Sequence, residues 1–112
     1  MGSITISNNK VIDSRTILFS DGQSFVYEVE LFGWIAKLKF LPQKTNSAAI
    51  HLRPNGDYLE VELSINGNAL GTSFKNPIKF AQLGNGKSAY LMAFWLSAGD
   101  VHRMDVQITV GD

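Results

Sequence analysis

The stretch FVYEVELFGWIAKLKF, residues Phe25 to Phe40, admits one hairpin register that suits every side chain in it. A two-residue turn at Phe32-Gly33 sets Leu31 against Trp34, Val29 against Ala36, Tyr27 against Leu38 and Phe25 against Phe40. Side chains alternate between faces with period two along a strand, so this apolar set shares one face. The other face collects Glu30 with Ile35, Glu28 with Lys37, and Val26 with Lys39. A slip of one residue would turn the apolar set to water, so the register is strongly specified. The stretch predicts an antiparallel β domain.

Working outward, two more turns suggest hairpins. Asp21-Gly22 is a preferred type I′ pair, and a hairpin there sets Leu18 against Phe25 and Thr16 against Tyr27 inside. Arg15 then meets Glu28 and Ile17 meets Val26 outside, while Asp13 opposite Glu30 is a poor match that predicts fraying or a bulge before Ser14. Pro54-Asn55-Gly56-Asp57 predicts a second hairpin, with Leu52 against Leu59, Ile50 against Val61 and Ala48 against Leu63 inward. In that register His51 lies opposite Glu60 and Arg53 opposite Tyr58. Ile4 to Ser7, Ile78 with Phe80, Ala89 to Leu96 and an alternating strand from Arg103 to Val110 bring the total to about nine short strands. That spacing predicts an all-β antiparallel β-sandwich of about 8–9 strands, mostly consecutive hairpins, spanning residues 1–112 as a single domain.

The composition sets outer limits. A chain of 112 residues has room for one core and buries roughly 65% of its unfolded surface on folding. Lys plus Arg and Asp plus Glu both count 10, so the basic excess of a nucleic-acid binder is missing from the totals. With no cysteine there are no disulfides, thiolate nucleophiles or cysteine metal sites. No apolar run approaches the ~18 residues of a membrane span. The start Met1-Gly2-Ser3-Ile4-Thr5-Ile6 has neither the basic region nor the apolar run of a signal peptide, and Gly2-Ser3 reads as a cloning remnant. None of the eight Asn residues opens a glycosylation sequon. A cytoplasmic location is the default expectation.

Several segments together resemble a family of small uncharacterised bacterial proteins of about this length. They are Val11-Ile12-Asp13-Ser14 to Phe19, Leu70-Gly71-Thr72 with Pro77-Ile78, Tyr90 to Leu96, and the closing strand to Gly111. The shared residues are turn and strand residues along nearly the whole chain. The resemblance implies a single-domain protein of unknown function and carries over no functional residue.

No constellation announces catalysis, metal binding or a cofactor. His102 with Asp100 and Asp105 has the residue types of a metal site, yet Asp105 falls on the opposite strand face from His102. His51 opposite Glu60 has the form of a general base with its carboxylate, and equally of an exposed cross-strand ion pair. Glu28, Glu30, Glu60 and Glu62 are the densest carboxylates, but Arg15 and Lys37 flank Glu28 as ordinary ion-pair partners. Leu83-Gly84-Asn85-Gly86-Lys87 lacks the Gly-Lys-Ser/Thr spacing of a phosphate loop and suits a hairpin turn.

The stretch Ala89 to Leu96 is apolar on both faces. Turning the aromatic set Tyr90, Met92, Phe94 and Leu96 inward leaves Leu91 and Trp95 outside as a candidate interface. These observations favour a non-enzymatic module that docks a protein partner or forms a homo-oligomer. The alternative is a carbohydrate or small-ligand module that stacks its ligand on Trp34, Tyr58 or Trp95. Neither involves nucleic acid, a membrane, a metal or a cofactor.

Overall fold

The computed structural model describes residues 9–31, 33–45, 49–66, 72–73, 77–84 and 86–112. Among the described residues nine strands run in chain order: β1 (Lys10–Ser20), β2 (Phe25–Leu31), β3 (Trp34–Thr45), β4 (Ala49–Asn55), β5 (Tyr58–Asn66), β6 (Thr72–Ser73), β7 (Ile78–Gln82), β8 (Ser88–Ala98) and β9 (Val101–Gly111). They form two layers. Sheet A has the order β1-β9-β8, with β6 and β7 sharing the far edge of β8, and sheet B has the order β2-β3-β5-β4. The sheets enclose one core of Tyr27, Val29, Leu31, Leu38, Phe40, Val61 and Leu63 from sheet B against Phe19, Leu91, Trp95, Met104, Val106 and Ile108 from sheet A. The chain is an all-β sandwich. The strand expected at Ile4 to Ser7 and the pairing of Ala48 fall outside the described residues.

The β2–β3 register is the one the side chains require, from Phe25 opposite Phe40 to Leu31 opposite Trp34, with Glu28 across from Lys37. Tyr27, Val29 and Leu31 are buried and Val26, Glu28 and Glu30 exposed, as a half-buried alternating strand demands. Phe25 and Phe40 stack with centroids 4.9 Å apart.

Three expectations need correction. First, β1 pairs with β9 and not with β2: Arg15 lies opposite Val106 and Thr16 opposite Asp105, which its hydroxyl contacts at 2.7 Å. The turn at Asp21-Gly22 does form, with Gln23 N–H donating to the Ser20 carbonyl and Gly22 at φ 76°. However, Gln23 Oε1 accepts the Ser20 N–H that a β1–β2 ladder would use, and Ser24 carries the chain into the other sheet. Arg15 therefore sits over the Tyr27 ring at 4.7 Å, and Tyr27 O–H donates to Asp13, so inward charges on edge strand β1 bracket a core residue of sheet B. The bulge between Val11 and Asp13 occurs in the β1–β9 ladder.

Second, the β4–β5 register is displaced by two residues. Asn55 pairs with Tyr58 around Gly56-Asp57, so Arg53 faces Glu60 and His51 faces Glu62. The two-residue turn lies at Gly56-Asp57, one residue on from Asn55-Gly56, with Gly56 at φ 62°, and a shift of two keeps Leu52, Leu59, Val61 and Leu63 on the inner face. The parallel β3–β5 pair, from Lys37 opposite Tyr58 to Thr45 opposite Asn66, has no counterpart in a run of hairpins.

Third, the faces of β8 are inverted. Leu91 and Trp95 are buried with Ala89 and Ala93, and Phe94 and Leu96 are exposed. Around the Gly99-Asp100 turn, Leu91 falls opposite Ile108 and Trp95 opposite Met104. The apolar side of β9 takes these partners into the core, so they form no outer surface.

Candidate functional site

The β8–β9 register sets Ser97 directly opposite His102, and the β1–β9 register sets Phe19 opposite His102 on the other side. Ser97 Oγ lies 2.7 Å from His102 Nδ1, and His102 Nε2 bonds the Asp21 carboxylate, 81 positions away in sequence. The Asp21 amide donates to the Asp100 carbonyl at 3.2 Å. With Asp21 ionised, Nε2 carries a proton and donates it to the carboxylate, and in the neutral ring Nδ1 then accepts from the Ser97 hydroxyl. Phe19 stacks on the imidazole at 5.1 Å, and His102 keeps only 2% of its surface exposed.

Serine, histidine and aspartate in hydrogen-bonded sequence are the elements of nucleophilic catalysis. A general base must also meet the reacting groups, and this ring is sealed between Phe19 and its neighbours. What the chain of bonds does is fasten the corner between the sheets to the β8–β9 hairpin, with both ring nitrogens satisfied. Sequence reading missed it because Asp21 is remote; the Ser97–His102 half is readable from the Gly99-Asp100 turn alone. The trio of His102, Asp100 and Asp105 does not converge, since Asp105 turns outward to Thr16 and to Arg103 at 3.4 Å. Among the described residues no group of three or more His, Asp or Glu side chains could hold a metal ion.

The outer face of sheet A is more unusual. Across its strands, the register aligns Leu18, Arg103 and Leu96 in one row and Thr16, Asp105 and Phe94 in the next. Val101 and Val11 extend the same face toward its two ends. Leu18 is 69% exposed, Phe94 41% and Leu96 36%, and most of the large apolar side chains exposed among the described residues lie here. Beside them Met92 and Phe94, with Ser14, Asp105 and Gln107, line a groove of about 230 Å³.

On sheet B, Arg53 at 2.7 Å and then Asn55 at 3.0 Å bond Glu60 and hold its carboxyl below the usual carboxylate range. His51 is exposed opposite Glu62. Glu28 faces Lys37 and Glu30 faces Ile35, so the carboxylates do not converge in pairs. The turn Leu83 to Lys87 bonds to itself, with Leu83 N–H donating to the Lys87 carbonyl at 2.8 Å, as a hairpin does. Of the three stacking candidates, Tyr58 is exposed, Trp95 is buried, and the Trp34 side chain lies outside the described residues. Among the described residues no helix is long and apolar enough to cross a membrane.

Comparison with protein-family models, with curated proteins and with solved structures finds no match.

Proposed function

We propose that this protein is a non-enzymatic, cytoplasmic interaction module that associates with a second copy of itself through the outer face of sheet A. The observation that carries the proposal is the row of exposed Leu18, Leu96 and Phe94 set around Arg103 and Asp105. A two-fold axis lying across the strands between the two rows would set Arg103 of one copy over Asp105 of the other. It would also set Leu96 over Phe94, so one face supplies both halves of an isologous contact. The formal net charge of zero leaves no general repulsion between copies.

The available area supports the same reading. β1, β8 and β9 have 11 residues each. At ~3.3 Å per residue and ~4.8 Å between strands they span roughly 500 Å² per copy, or roughly 1,000 Å² for two. The far edge of β8 widens this toward the ~1,200 Å² of a stable interface. The sealed His102 ring favours a structural part for Ser97, His102 and Asp21 over a catalytic one. Sedimentation velocity tests the proposal: wild type is expected to gain mass with concentration, and Phe94→Glu is expected to stay folded and monomeric. Equal masses for the two at every concentration would refute it.

A further inference from the structure

A cleft of about 450 Å³ opens at the end of sheet B, away from the face argued above. Its origin is the parallel pair. The β3–β5 ladder begins only at Lys37 opposite Tyr58, and the chain turns from β4 into β5 at Gly56-Asp57. Trp34 to Ala36 therefore run past the start of β5 with no ladder partner on that side. Through this gap Leu59 and Pro54 come to the surface of the cleft above the fully buried Leu38, and Phe80 of β7 lines it from sheet A. Ile35, 54% exposed, also lines it, as do Lys37, Asp57 and Tyr58.

Two features define what fits. The lining is polar and apolar in nearly equal parts, and Ile35, Leu59, Pro54 and Phe80 supply the apolar part, so burial of one apolar group supplies some of the attraction. Lys37 places its ammonium 5.8 Å from the centre of the Tyr58 ring and makes no ion pair among the described residues. An ammonium at the mouth of the cleft selects a negatively charged group, while Asp57 repels that group from its own side. The volume falls within the ~300–1,000 Å³ usual for small-molecule sites.

We propose that the cleft binds a small amphiphile: one hydrocarbon group seated against Phe80, Pro54 and Leu59, and one carboxylate held by Lys37. The site is independent of the self-association surface, and either can stand without the other.

Amide NMR titration of the full chain with octanoate, and in parallel with 1-octanol, tests this. Saturating shifts are expected at Lys37, Leu38, Tyr58 and Leu59, with octanoate binding about tenfold or more tightly than the alcohol, as a charge-assisted contact would give. Lys37→Met is expected to abolish that preference. Ile35→Glu changes an exposed position, leaves the core alone, and is expected to weaken octanoate by about tenfold or more. Equal affinity for the alcohol, an octanoate affinity unchanged by Lys37→Met, saturating shifts elsewhere, or no saturation at all would each overturn the inference.

Discussion

Ser97 and His102 face one another across the β8–β9 hairpin, Ser97 Oγ 2.7 Å from His102 Nδ1, while Nε2 of the same ring reaches back to Asp21 at the end of β1. One imidazole thus joins the hairpin of sheet A to the corner that leads into sheet B. His102→Ala removes a buried ring from Phe19 and takes the partner of the Ser97 hydroxyl, so it is expected to destabilise by about 2–5 kcal/mol in chemical denaturation. Ser97→Ala is expected to cost about 1 kcal/mol. The reverse order would show that the ring is not the keystone of the corner. A fluorophosphonate probe is expected to leave Ser97 unmodified, and intact-mass analysis showing one adduct, lost in His102→Ala, would contradict the non-enzymatic proposal.

Tyr27 links stability to alkaline pH. Burial first, then the hydrogen bond and charge of Asp13, hold its phenol well above the ordinary 10.0. The unfolded chain releases this proton near pH ~10 while the native state keeps it, so the contribution is complete below that pH and falls as pH rises further. Denaturation midpoints are therefore expected to drop on going from about pH 8 to about pH 10.5, and to drop less in Tyr27→Phe. Identical losses in the two proteins would remove Tyr27 as the cause.

The two faces of β8 can be told apart by substitution. Trp95→Lys puts an unpaired charge into the core and is expected to prevent folding, since such a burial rivals a total stability of about 5–15 kcal/mol. Phe94→Lys, one residue away on the exposed face, is expected to leave a cooperatively folded protein. Circular dichroism on both variants decides the matter. A folded Trp95→Lys would put Trp95 outside.

How far these features are legible in the sequence differs from strand to strand, for physical reasons. The β2–β3 register is readable because each strand has one apolar and one largely polar face, so a slip exposes half the residues. β8 lacks that contrast, and the size of its aromatic residues is a poor guide. Packing places Ala89 and Ala93 inside next to Trp95, where the large side chains of sheet B fill the space. The polar positions of β9 hold the missing information. Arg103, Asp105 and Gln107 lie beside Leu96, Phe94 and Met92, which fixes that face as the outer one.

The partner of β1 is harder to read. Asp21-Gly22 serves a hairpin or a corner equally well, and only the side-chain bond from Gln23 to the Ser20 amide favours the corner. The same gap in local information hides Asp21 as a partner of His102. The parallel β3–β5 contact, and the cleft it opens beside Tyr58, depend on the order of strands within the sheet, which no local pattern encodes.

The central claim is that the Arg103–Asp105 face of sheet A meets its own copy, and an exchange of charge tests it most directly. Arg103→Asp alone and Asp105→Arg alone each place like charges across the two-fold contact, and each is expected to sediment as a monomer. Mixed in equal amounts, they oppose acid to base at every position and are expected to associate as wild type does. If the mixture remains monomeric while wild type associates, or if wild type itself stays monomeric, the face does not meet its own copy in this way.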